Sequence, residues 1–308
     1  MSKDKFKVVL AYAVYPMAIA KYFESALRAR DDVELFTVGP YTGTWIPWNG
    51  GMYLPQKYCG APDFPLDKNF ITNVKVNPTI VEGMMPWDEA DLWINADSNF
   101  CFSRPKKAKN VVTIAIDPHV LNYDYQRTQC DMFFNMQLTY SKPGDKYLPY
   151  AACEQHHYPE DLDKVYDVCL IGLHYPDRTN LVNRLRAKGL NVYYDIGPVF
   201  DEYRQLYSQS KVAISWSSQL DLIARVFEAM AMDVPLVCNR VPDMDNFFVD
   251  GDHYYGFNNI DEAEAQVLMA LANYDDALEV SKQAHRKVMA QHLYKYRIAD
   301  ILKAVKLK

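Results

Sequence analysis

Apolar runs that break off in polar residues alternate, along most of this chain, with longer stretches in which apolar positions recur at helical spacing. Residues 7–12 predict a strand, 17–30 an amphipathic helix with Ala18, Ile19, Tyr22, Phe23, Ala26 and Leu27 on one face, and 33–38 a second strand. Further strands are predicted at 91–95, 111–116 and 132–135. After residue 165 the rhythm resumes, with strands at 168–171, 191–194, 212–215 and 236–238 separated by helices at 178–188, 200–208 and 223–232. Helices at 261–272, 275–291 and 294–305 complete the pattern. Such alternation builds parallel sheets covered by helices on both faces. Two series in one chain predict two doubly wound α/β domains, joined by the polar, Pro-containing segment 154–164.

The turn after the first strand, Ala11-Tyr12-Ala13-Val14-Tyr15-Pro16, has no glycine, so the G-x-G-x-x-G dinucleotide fingerprint is missing and a nicotinamide dehydrogenase is disfavoured. Residues 40–88 show little helical period and read as one long loop, whose Trp45, Trp48, Tyr53 and Tyr58 could line a ligand surface or pack the loop onto its own domain. The strands of the first half should end on one rim that exposes Tyr12, Asp97, Asp117 and His119.

Composition narrows the field. A chain of 308 residues with 49% hydrophobic and 23% charged positions fits two ordinary globular domains. The net charge of −6 disfavours general nucleic-acid binding, although Arg104, Lys106, Lys107 and Lys109 form a basic island. No uncharged apolar run approaches the roughly 20 residues of a membrane span, and the interrupted apolar start reads as a strand, not a leader. The six cysteines, at 59, 101, 130, 153, 169 and 238, form no C-x-x-C pair and read as reduced, which implies the cytoplasm. Cys153, His156 and His157 lack the second pair a zinc site would need, and the Asp-x-Asp pairs at 161/163, 243/245 and 250/252 arise by chance in an Asp-rich chain, so no metal site is expected.

Chemistry concentrates in the segment 221–251, DLIARVFEAMAMDVPLVCNRVPDMDNFFVDG. Arg225 and Glu228 stand three apart on a helix whose other positions, Val226, Phe227, Met230 and Met232, are apolar, so both lie at one edge of a buried face. A short strand and a polar loop follow. On spacing alone, Arg225 and Glu228 are equally a ligand site or a structural ion pair with Asp221.

At these residues the chain resembles the glycosyltransferases of GT-B fold, in particular the CgeB-like group with a family 1 or family 4 type C-terminal domain. The pattern rests on Asp221, Arg225, the run Phe227-Glu228-Ala229-Met230-Ala231, Pro242 and Phe248 to Gly251. It extends to Ile171 to Arg178 (IGLHYPDR), Tyr207 to Trp216 (YSQSKVAISW), the Leu148-Pro149 segment and His292 to Arg297. Family 4 enzymes carry two glutamates eight positions apart; Glu228 matches the second, while Leu220 occupies the position of the first.

The resemblance implies two Rossmann-like domains facing a central cleft: residues 1–155 on the acceptor side, 165–291 for the nucleotide-sugar, and 292–308 as a helix crossing back to the first domain. It implies a metal-independent glycosyltransferase with no cofactor beyond a nucleotide-sugar co-substrate, taken as a UDP-sugar, and an unidentified acceptor hydroxyl. Gly172, Arg178, Arg225, Phe227 and Glu228 would form the donor site, with Glu228 on the ribose and the arginines on the phosphates. Asp117 and His119 are the catalytic candidates, each able to orient or deprotonate an acceptor hydroxyl. Alternatives are a sugar-nucleotide-binding protein without transfer activity, a nucleotide-sugar epimerase, and a transferase acting on modified bases in DNA.

Overall fold

The computed structural model describes residues 5–12, 19–38, 78–96, 103–116, 118, 122–196, 198 and 200–306. The chain forms two compact units, Met1–Pro149 with Arg297–Lys308, and Tyr150–Tyr296.

The first unit is a parallel sheet in the order β2-β1-β3-β4-β5-β6, formed by β1 (Phe6–Ala11), β2 (Val33–Val38), β3 (Ala90–Ala96), β4 (Ala108–Ala115), β5 (Met132–Asn135) and β6 (Lys146–Tyr147). Its strands are apolar runs because helices or loops cover both faces. Val9, Trp93 and Val111 are completely buried in one core cluster. Helix α1 (Ala20–Arg28) buries Phe23 and Leu27, and also Glu24, which accepts hydrogen bonds from Tyr12 at 2.8 Å and Arg28 at 2.7 Å. Tyr12 is therefore 1% exposed and braces the helix, which corrects its expected place on an open rim.

Two short helices depart from the sequence pattern. Helix α2 (Pro78–Met84) lies within the stretch expected to be loop, and starts at a proline, whose missing N–H costs a first helical position nothing. It buries Val81 and Glu82, and the Glu82 carboxylate accepts the backbone N–H groups of Lys106 and Lys107, the latter at 2.8 Å. Helix α3 (Asp124–Thr128) precedes β5. Trp45, Trp48, Tyr53, Tyr58 and Asp97 lie outside the described residues.

The second unit is a parallel sheet in the order β11-β10-β9-β7-β8, from β7 (Tyr166–Ile171), β8 (Val192–Asp195), β9 (Ser210–Ser215), β10 (Leu236–Asn239) and β11 (Tyr255–Phe257). Helices α4 (Pro176–Ala187), α5 (Phe200–Ser208), α6 (Ala224–Ala231), α7 (Ile260–Ala272) and α8 (Tyr274–Gln291) accompany it. Its core joins Val168, Leu170, Leu181, Val212, Ile214, Val237 and Phe257. Residues 150–152 are anchored to this unit by a bridge between Ala152 and Leu293. The last helix, α9 (Tyr294–Lys306), belongs from Arg297 onward to the first unit, where Arg297 donates to the carbonyl of Pro149 at 2.8 Å and Lys306 sits over the Phe6 ring.

Candidate functional site

In the second sheet the chain runs from β7 outward to β8 and then returns to the other side of β7 to form β9. The strand order reverses between β7 and β9, the position at which open parallel sheets bind ligands beyond their carboxyl ends. Gly172 follows β7 there and Trp216 follows β9.

Arg178, in the first turn of α4, spans this point. Its Nε and Nη2 donate to the carbonyl of Trp216, the former at 2.9 Å, its Nη1 donates to the carbonyl of Leu173 at 3.1 Å, and its guanidinium lies 4.8 Å from the Tyr175 ring centroid. Arg225, near the start of α6, reaches the same place. A Cβ added to Gly172 would stand 2.5 Å from Arg225 Nη2 and 3.3 Å from Arg178 Nη1, so both guanidinium groups close on a glycine whose φ is +154°. A side chain at this position would have to displace the ends of the arginines.

Neither arginine forms an ion pair among the described residues, and the buried Nη1 of Arg225 has no hydrogen-bond partner. Burial and the like charge of Arg225 pull Arg178 down to about 10. The two partly desolvated cations stand side by side with no salt-bridged carboxylate among the described residues, Glu228 and Asp221 acting on them only at longer range, and a polyanion would relieve their mutual repulsion. The structural ion pair among Asp221, Arg225 and Glu228 does not form. Asp221 instead accepts from the Ser217 hydroxyl, whose oxygen receives the Asp221 N–H at 3.1 Å, while Asn239 accepts the Ser217 N–H at 2.7 Å. This loop presents Leu220, at φ +53° and 59% exposed, where the family pattern has its first acid.

Glu228 points to another helix. Its Oε2 accepts a hydrogen bond from the Tyr203 hydroxyl of α5 at 2.8 Å, and its Oε1 lies 3.8 Å from His157 Nε2. Burial raises the carboxyl to about 7, against the opposing influence of the Tyr203 hydrogen bond and the Arg225 charge. His157 is lowered to about 3, first by burial and then by His156 and Arg204. Its Nδ1 accepts the Cys153 N–H at 3.1 Å, so the neutral ring carries its proton on Nε2, facing Glu228. Tyr203 carried no signal in the sequence beyond that of a residue on the packed face of a helix, and His157 stood out only as part of the Cys153, His156 and His157 cluster weighed as a metal site.

Phe227, between the two charged residues, is completely buried against Phe247, Phe248 and His292, with centroid distances of 6.1, 5.5 and 5.6 Å. It locks α6 to the loop after β10, which orients Arg225 and Glu228 on the opposite side of the helix. Asp117 and His119 lie outside the described residues. Within the basic island, Arg104 pairs with Asp131 at 2.8 Å and Lys109 with Asp91 at 2.7 Å. Among the described residues, no three His, Cys, Asp or Glu gather as metal ligands, and no helix is long and apolar enough to cross a membrane. A cavity of about 510 Å³ in the first unit is lined by Arg127, Cys130, Asp131, Phe133 and Asp145, at the amino ends of β5 and β6. There Arg127 pairs with Asp145 at 2.7 Å and Asp131 with Arg104 at 2.8 Å.

Comparison with known proteins assigns the class. A family model described as glycosyl transferase-like matches residues 160–303, which contain Gly172, both arginines, Tyr203 and Glu228. Among solved structures, a sucrose-phosphate synthase from Thermosynechococcus elongatus superposes with a TM-score of 0.60 at 12% identity, covering 98% of this chain and 99% of that one. HepE from Anabaena, in complex with UDP-glucose, gives 0.63 at 9% identity over 99% and 100% of the two chains. TarM gives 0.54 at 12% identity over 74% of this chain, which spans 57% of the TarM chain. Comparison with curated proteins returns no match. The structures agree on the GT-B fold, and the glycosyl transferase-like match over residues 160–303 supports an enzyme of that activity.

Proposed function

We propose that this enzyme, of CgeB-like type, moves a sugar from a uridine diphosphate donor to an acceptor hydroxyl without a metal ion. The observation that carries the reading is the convergence of Arg178 and Arg225 on Gly172 at the switch point, with no salt-bridged carboxylate to balance them among the described residues. A diphosphate supplies that balance, and guanidinium groups bind its oxygens through paired, charge-assisted hydrogen bonds. As the bond between the anomeric carbon and the diphosphate breaks, negative charge grows on the departing oxygen, and the two preorganised cations stabilise it. They take the place a divalent cation holds in other transferases, which is the ground for metal independence. Glu228 would accept the ribose hydroxyls through Oε1. Asp117 and His119 would serve the acceptor, one of them receiving the proton of its hydroxyl. Uridine is chosen because the similar HepE and TarM structures include complexes with UDP. Among the described residues, Cys130, Cys169 and Cys238 form no disulfide, which supports a cytoplasmic site of action.

Calorimetric titration with UDP and with uridine tests the donor site. Arg225→Ala is expected to weaken UDP by about ten- to a hundredfold, the loss of a hydrogen bond to a charged group, and to leave uridine nearly unchanged. Arg178→Ala should share that selectivity with some loss of stability, because it also holds the Trp216 and Leu173 carbonyls. Equal losses for UDP and uridine would sink the phosphate assignment.

A further inference from the structure

The carboxylate of Glu228 is set by a residue from a different helix. Tyr203 fixes Oε2, and Tyr207, one turn along α5, backs it with the hydroxyl oxygens 3.4 Å and the ring centroids 4.8 Å apart. The Tyr207 phenol and the Glu228 carboxylate are buried and Tyr203 is half-buried, so one well-made hydrogen bond decides both orientation and charge state. Oε1 has no hydrogen bond among the described residues, since His157 Nε2 stands too far away at 3.8 Å.

We propose that Tyr203 is the positioning residue of the nucleotide site: by holding Oε2 it turns Oε1 toward the ribose. The proposal rests on the donor-site reading and names the residue on which that site depends.

The groups facing Glu228 are Tyr203 and Tyr207 from α5, His157 from the segment before β7, and Arg225 from its own helix. Burial pushes both phenols up and His157 down, so all three stay neutral across the physiological range while Arg225 stays charged. Glu228 is then the one member of this group that titrates near neutrality. Burial drives its carboxyl toward protonation and the Tyr203 hydrogen bond holds it back. Loss of that bond moves the titration upward. A protonated Glu228 is a poorer acceptor for two ribose hydroxyls, so donor affinity falls at a higher pH once Tyr203 is changed.

The test is calorimetry with UDP-glucose between about pH 5.5 and 8.5, a range in which its diphosphate diester does not titrate and the Glu228 carboxyl does. Tyr203→Phe, which keeps the ring, is expected to weaken UDP-glucose about tenfold at neutral pH and to shift the fall in affinity to higher pH. Tyr207→Phe should shift it in the same direction by less. The 2′-deoxyribose analogue of UDP-glucose should lose little in Tyr203→Phe, because the affected contact is with the sugar hydroxyls. Thermal melting confirms that each variant is folded. A uniform loss at every pH, or a profile that superimposes on the wild type, would overturn the assignment of Tyr203 while leaving the donor site intact. A folded Glu228→Ala that binds UDP-glucose like the wild type, or a wild type that does not bind it, overturns the donor site and this proposal together.

Discussion

Gly172 and Arg225 are in such close contact that a β-carbon on the glycine would stand 2.5 Å from Nη2 of the arginine. Gly172→Ala must therefore displace the guanidinium, and its φ of +154° adds strain for any L side chain. The expected outcome is a folded protein whose affinity for UDP falls at least about tenfold, with little change for uridine. Isothermal titration of the two ligands checks it. Undiminished UDP affinity would show that the arginine has another working position.

Glu228 also makes the ligand-free protein pH-sensitive. Its folded pKa of about 7 exceeds the ordinary 4.5, so between these values the folded state binds more protons than the unfolded state and stability falls as pH rises. The stabilisation relative to the ionised form is complete below pH 4.5 and lost through pH 7. Glu228→Gln, which has no charge to bury, should gain on the wild type as pH rises, by on the order of 3 kcal/mol at pH 8, and show no advantage near pH 4.5. His157 acts with the opposite sign. Its folded value of about 3 lies below 6.5, so stability is lost as pH falls below 6.5, and His157→Asn should flatten the acid limb. Chemical denaturation across this range separates the two effects.

Phe227 lies between two site residues yet faces away from them into a ring cluster. Phe227→Ala should cost about 3 to 5 kcal/mol of stability, the range for truncating a buried aromatic. Any drop in UDP affinity should follow the unfolded fraction. Thermal and denaturant melts alongside UDP titration distinguish this from direct contact, which would weaken binding in the fully folded fraction.

Asp117→Asn and His119→Ala are expected to leave UDP-glucose affinity nearly intact. The variant that removes the acceptor base should lower transfer by about 10²- to 10⁴-fold, the usual worth of general base catalysis. Transfer assays paired with donor titration check this, and a loss of donor binding in either variant would remove that residue from the acceptor side.

Both sheets were legible because strands of a doubly wound domain are buried on two faces and must be apolar throughout. The expected spans 132–135 and 200–208 coincide with β5 and α5 residue for residue. Helices α2 and α3 and strand β11 were missed because elements this short hold too few residues to show a period. Their stability comes from tertiary contacts, such as the Glu82 carboxylate on two backbone N–H groups.

At the site, the i,i+3 spacing of Arg225 and Glu228 already placed them on one edge of an apolar helix, and helix geometry requires no more than that. It could not select their partners. An isolated helix would allow the ion pair with Asp221; in the fold, Ser217 and Asn239 engage the loop that carries Asp221, leaving Arg225 to meet Gly172 and Arg178. Tyr203 reaches Glu228 from 25 positions away, and its sequence context is that of a helix face packing on a core. Local periodicity reports which side of an element is buried. Which buried polar groups meet depends on the order in which strands pair and helices cross, and here the passage of β9 to the far side of β7 created the switch point that collects the two arginines.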